Sequence, residues 1–120
     1  MLVVDEPLHT LEGHTEQVFT VAISITGQRI ISGAGDNTCR IWEASTGSLL
    51  HTLKTPKWVM SVAITPDESK VFSGCADAAI YVWDASTGEL LHTVKEHTSA
   101  VLSIAVSLDG TRVVTGSADK

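Results

Sequence analysis

The sequence predicts an all-β protein assembled from one repeated four-stranded antiparallel sheet. Three observations carry that reading. Segments recur in phase every 41 or 42 residues: Leu8-His-Thr-Leu11, Leu50-His-Thr-Leu53 and Leu91-His-Thr-Val94; Ser32-Gly33, Ser73-Gly74 and Thr115-Gly116; Trp42-Glu43 and Trp83-Asp84, each followed by Ala-Ser-Thr-Gly. Within each period lie short runs of β-branched and apolar residues bounded by turn signals. No window long enough for a helix carries a 3.6-residue apolar period.

The elements follow in order within each period. An inner strand is expected at Val18–Ile25, Val59–Thr65 and Val101–Ser107, and its near-continuous apolarity predicts burial on both faces. Thr26-Gly27, Pro66-Asp67 and Asp109-Gly110 are the turns that follow, the last a strong hairpin signal. Second strands come at Arg29–Gly33, Lys70–Gly74 and Arg112–Gly116, and third strands at Cys39–Glu43 and Ile80–Asp84. Gly47 and Gly88 close Ala-Ser-Thr-Gly turns that need a positive φ, and fourth strands follow at Leu49–Leu53 and Leu90–Val94. With one outer strand at Leu8–Glu12, the chain should hold two complete sheets, 18–53 and 59–94, and the first two strands of a third. Four short antiparallel strands in roughly 40 residues is the repeat of a β-propeller blade.

Composition agrees and removes several function classes. The 120 residues are 43% apolar and 18% charged, which is globular rather than disordered. A net charge of −6 and a pI near 5.2, with eight scattered Lys and Arg, argue against a nucleic-acid surface. No apolar run reaches the roughly 18–20 residues that span a bilayer, and Met1–Pro7 lacks a basic signal-peptide start, so no membrane role is expected. Cys39 and Cys75 are too few for a disulfide framework and read as small buried hydrophobes. A reduced intracellular setting fits, taken as cytoplasmic with the nucleus left open.

The residues now carry a family resemblance. Leu-Glu-Gly13-His14-Thr, then Ser32-Gly-Ala-Gly-Asp36, then Ile41-Trp42-Glu43 resembles one WD40 repeat, and the likeness covers residues 8–120. The repeats would be 8–49, 50–90 and a truncated 91–120, after an N-terminal tail at 1–7. The resemblance implies blades whose motif starts on the outer strand of one sheet and continues into the next. It also implies a buried chain of hydrogen bonds linking His14, Ser32, Asp36 and Trp42 in the first repeat. Ser73, Asp77 and Trp83 would serve in the second, and His97, Thr115 and Asp119 in the third. The chemistry is reasonable: a buried carboxylate needs donors, and an indole N–H needs an acceptor.

This sequence departs from the pattern in places. The second repeat has Lys54-Thr-Pro-Lys57 where Gly-His-Thr belongs, so only the first repeat is expected to complete the network. Glu68 stands where the equivalent turns have Gly27 and Gly110.

His14, Asp36 and Ser32 are also the residue types of a hydrolase triad. Their recurrence in the repeat frame, with and without the histidine, favours a structural network, and no G-x-S-x-G is present. His9, His51 and His92 are copies of one strand position and fall on successive blades, so no metal site is expected. No phosphate-binding G-x-x-x-x-G-K-[ST] occurs either, and no cofactor is expected.

Trp58 lies outside the ladder that places Trp42 and Trp83, and corresponds to Gln17 and Ala100. In WD40 propellers, by resemblance, this position opens onto the narrow face that takes partner peptides. Lys57-Trp-Val-Met60 is similar to a stretch in G-protein β subunits. Trp58 beside Met60 would make an anchor for a partner protein or peptide, with Gln17, Thr15, Thr98 and Ala100 facing the same way. Gly35, Ala76 and Ala118 would shape that rim; the competing reading packs Trp58 over Pro56. Neither Trp42-Glu-Ala-Ser45 nor Trp83-Asp-Ala-Ser86 carries the Trp-Asp-x-Arg of ubiquitin-ligase receptors.

The expected function is a non-catalytic interaction scaffold. The alternative is a regulatory WD40 segment of a larger protein such as a NACHT-type NTPase. Propellers close with roughly 4–8 blades. The open sides of this arc would therefore be met by further WD repeats of a parent chain or by self-association.

Overall fold

Short β-branched runs separated by tight turns fold into meanders, because each strand finds its hydrogen-bond partner in the next. A computed structural model describes residues 11–95 and 97–117 of this chain. Among them, β1 (Val18–Ile23), β2 (Arg29–Ala34), β3 (Thr38–Glu43) and β4 (Leu49–Lys54) form one antiparallel sheet. The second sheet holds β5 (Val59–Ile64), β6 (Lys70–Cys75), β7 (Ile80–Asp84) and β8 (Leu90–Val94), and β9 (Val101–Val106) pairs with β10 (Val113–Ser117) in a third. The strands of each sheet are adjacent in chain order, and no helix occurs among the described residues. The expected tail at 1–7 and the part of the outer strand at 8–10 lie outside the described residues; Leu11 and Glu12 are not in a strand.

The registers repeat along with the sequence. Val21 faces Ser32 in the first sheet, Val62 faces Ser73 in the second, and Ile104 faces Thr115 in the third. Each inner strand also shifts register at one place, and the extra residue there is Phe19, Met60 or Leu102. The turn after β1 uses Gly27 at φ 75° and the turn after β9 uses Gly110 at φ 73°. Glu68 occupies the same left-handed position at φ 61°, which glycine adopts at less cost. Its carboxylate is used there: Thr26 Oγ1–H in the first sheet donates to Glu68 Oε1 at 2.8 Å.

The core sits between the first two sheets. Ile31, Cys39, Ile41 and Leu53 on one side meet Val59, Val62, Val71, Tyr81 and Trp83 on the other. Both cysteines are free and buried, and burial raises both thiol pKa values, that of Cys75 to about 12. The joint depends on glycine. Val59 lies over Gly33, and Val101 lies over Gly74 in the next pair of sheets. Ser61 Oγ–H adds a bond to the Val101 carbonyl at 3.2 Å. Toward the outside, His51 Nε2 lies 3.0 Å from the Ser86 carbonyl oxygen of the neighbouring sheet.

One expectation is corrected. Among the described residues, β5 is the one inner strand covered on both faces, packed on β1 and β2 on one side and on β9 on the other. The first and third inner strands are equally apolar but are not buried on both faces: Val21 is 69% exposed, Ile23 is 64% exposed, and Leu102 is exposed as well, although Val101 is buried. The reason is tertiary. Each of these strands has a neighbouring sheet on one side only among the described residues.

Candidate functional site

In the first sheet, the loop before β1, the middle of β2, the turn after it and β3 converge on one polar cluster. His14 Nδ1 is 2.9 Å from Asp36 Oδ2, and His14 Nε2 is 2.6 Å from Ser32 Oγ. Trp42 Nε1–H donates to the same Ser32 oxygen at 2.9 Å. A carboxylate can only accept, so His14 Nδ1 carries the proton; Ser32 O–H then donates to Nε2. The Thr15 and Thr38 backbone N–H groups and the Thr38 hydroxyl also donate to Asp36, at 3.1, 3.1 and 2.6 Å. Burial pushes the Asp36 carboxyl up, but hydrogen bonds from Thr38, His14 and Thr15 outweigh it and hold it below the usual 3.8.

This is the connectivity of an acyl-transfer triad without its access. Ser32 is buried and already accepts from Trp42, itself 2% exposed, so no carbonyl carbon can approach Oγ. The cluster ties β2 and β3 to the turn between them and to the loop before β1.

The second sheet solves the loss of its histidine differently. Trp83 Nε1–H donates to Ser73 Oγ at 2.9 Å, as in the first sheet. Asp77 receives Tyr81 O–H at 2.6 Å and the Ala79 N–H at 3.0 Å. Tyr81 occupies the position of Arg40 in the repeat, and burial together with the Asp77 contact raises its phenol pKa. Sequence reasoning missed Tyr81 because its hydroxyl reaches Asp77 from the third strand, not from the loop before the inner strand where the histidines stand. The usable signal was a long hydroxyl donor four residues after the turn aspartate. In the third sheet, His97 Nε2 lies 2.8 Å from Thr115 Oγ1; Asp119 and Ala118 lie outside the described residues.

The surface feature lies at the start of the inner strands. Trp58 is 53% exposed, and its ring lies 5.7 Å from that of Phe19, tilted by 40°. Phe19 comes from the neighbouring sheet, so the two rings meet across the joint. Backbone bonds fix both flanks: Gly35 N–H to the Gln17 carbonyl, and Ala76 N–H to the Trp58 carbonyl, each 2.9 Å. Glu16, Gln17, Phe19, Gly35 and Trp58 line an open depression of about 340 Å³. Gly35 shapes its floor, since a Cβ there would touch the Phe19 ring at 3.3 Å.

Of the residues expected at this face, Trp58 and Gln17 line the depression, while Thr15, Met60 and Thr98 do not. Thr15 is exposed with its N–H on Asp36, Met60 is half-buried in β5, and Thr98 sits exposed before β9. Phe19 was missed because its role comes from the register shift, which turns it out of the strand ladder. Among the described residues, no group of three or more His, Cys, Asp or Glu is placed to hold a metal ion, and no helix is long and apolar enough to cross a membrane.

Comparison with known proteins adds a family. The profile described as WD domain, G-beta repeat matches residues 5–43, 47–84 and 88–120. The chain is similar to Eukaryotic translation initiation factor 3 subunit I of Schizosaccharomyces pombe, 41% identical over 51 residues, covering 42% of this chain and 16% of that protein. It is also similar to a Ribosome biogenesis protein BOP1 homolog of Drosophila ananassae, 38% identical over 55 residues, covering 42% and 7%. Vegetative incompatibility protein HET-E-1 of Podospora anserina is 49% identical over 39 residues, covering 32% and 3%. The match thus spans less than a fifth of the length of each of these relatives.

Proposed function

The chain belongs to the WD40 family of G-beta repeats, and on that premise we propose that it is a non-catalytic scaffold that docks partner proteins on the Trp58 face. Repeats of this family generally mediate protein–protein interaction and are generally non-catalytic. One observation carries the reading: a half-exposed tryptophan, backed by a second aromatic ring, at the edge of an open depression on a rigid sheet joint. Such a ring offers a large apolar area at little ordering cost, which is what interface anchors supply. The His14, Ser32, Asp36 and Trp42 cluster, with its counterparts, holds the sheets that present this face.

Peptides selected against the chain by display provide the test. Trp58→Ala is expected to weaken their binding roughly thirtyfold, equivalent to about 2 kcal/mol, with the thermal midpoint nearly unchanged. A sharp fall in the midpoint, with unchanged binding per folded molecule, would make Trp58 a core residue and overturn the proposal.

A second reading is a regulatory WD40 segment of a larger protein such as a NACHT-type NTPase. It is favoured by the small share of the relatives that the match occupies, down to 3%. The two readings part on whether a G-x-x-x-x-G-K-[ST] loop lies upstream in the parent reading frame.

A further inference from the structure

The depression beside Trp58 has an electrostatic sign as well as aromatic walls. Its lining residues, Glu16, Gln17, Phe19, Gly35 and Trp58, include one carboxylate and no cation. Among the described residues, no hydrogen bond or ion pair engages the Glu16 carboxylate. Lys57 precedes Trp58 in the chain but does not line the depression. Trp58 and Phe19 supply two exposed rings, 5.7 Å apart and tilted by 40°. Gly35 keeps the floor low, since a Cβ there would stand 3.3 Å from the Phe19 ring and 3.5 Å from the Glu16 Cβ. The first two sheets share the depression, so it lies at a joint and not at an open side of the arc. An aromatic face and a carboxylate both attract positive charge. An acidic group would meet both with the wrong sign. A purely apolar group would cover the carboxylate and give it no donor.

We propose that this depression takes an arginine side chain from a basic segment of a partner protein, its guanidinium stacked on Trp58 and donating to the Glu16 carboxylate. The inference rests on the Trp58 docking face proposed above and names the chemistry that this face recognises. Arginine fits better than lysine for a physical reason. A guanidinium is planar and weakly hydrated, so it stacks on a ring while its N–H fork donates to a carboxylate. Its aliphatic stem covers the remaining aromatic surface. The net charge of −6 on the whole chain favours the approach of a basic segment.

The display-selected peptides test this once they are resynthesised with each arginine replaced in turn by citrulline, which keeps the shape and removes the charge. Binding is measured to the wild-type chain, to Trp58→Ala and to Glu16→Gln. Glu16 is exposed in a loop, so Glu16→Gln is expected to keep the wild-type thermal midpoint. The selected peptides are expected to carry arginine, and citrulline at one position should weaken binding to the wild type about tenfold. On Glu16→Gln the same exchange should cost less than about threefold, because only the ring contact is left to lose. Three results would overturn this inference and leave the docking face standing, provided that binding still needs Trp58. They are selected peptides that are acidic or purely apolar, equal binding of the citrulline forms, and an equal citrulline loss on Glu16→Gln and wild type. Peptides indifferent to Trp58→Ala, or a selection that yields no binder, would overturn both.

Discussion

Asp36→Ala is expected to destabilise the fold by about 3 kcal/mol, the largest loss from any single polar side chain among the described residues. Four donors lose their acceptor together: His14 Nδ1–H, the Thr15 and Thr38 amides, and the Thr38 hydroxyl. The His14 and Asp36 side chains are only 5% and 6% exposed, so water replaces little beyond the bond of the exposed Thr15 amide. Asp77→Ala, which strands only the Tyr81 hydroxyl and the Ala79 amide, should cost less, about 1–2 kcal/mol. Urea unfolding of both variants checks the order. The pH dependence follows from the sign of the shift. The folded carboxyl titrates below 3.8, so its stabilisation is complete above that value and is lost as pH falls through the folded pKa. The gap between wild type and Asp36→Ala should therefore narrow below pH 3.8 and stay constant above it.

Gly33→Ala is expected to cost about 2–3 kcal/mol by overpacking the joint between the first two sheets. The added methyl would collide with Val59 Cγ1 and sit 2.8 Å from Thr20 Cγ2. Both neighbours are β-branched and cannot rotate away, so the sheets must separate. Gly74→Ala meets Val101 Cγ1 at 2.7 Å and should behave alike. The measurement is the thermal midpoint, which should fall by roughly 4 °C per kcal/mol lost. Gly116→Ala should change stability by less than about 1 kcal/mol, because among the described residues only the rotatable Ser103 side chain stands nearby.

Strand positions were readable from local pattern because a strand's boundaries are local: Gly27, Gly47, Gly88 and Gly110 mark turns that only a positive φ can close. Burial was less readable, because it belongs to neighbours. Val21 and Val62 occupy one repeat position, yet Val21 is exposed and Val62 is buried, since only β5 lies between two sheets. Trp58 stands out in the sequence because it lies off the tryptophan ladder. Its surroundings do not, because geometry creates them. Phe19 reads as one more apolar strand residue until the register shift turns it toward Trp58, and Tyr81 becomes a partner of Asp77 only when the strands are paired.

The middle sheet is the core of a stack, with the outer sheets held through their joints. Native-state hydrogen exchange tests that most directly. The slowest amides should be those of β5, β6 and β7, with faster exchange in β1 and in β10, whose outer edge has no partner strand among the described residues. Protection in β1–β4 or β9–β10 that equals or exceeds that of β5–β7 would contradict it.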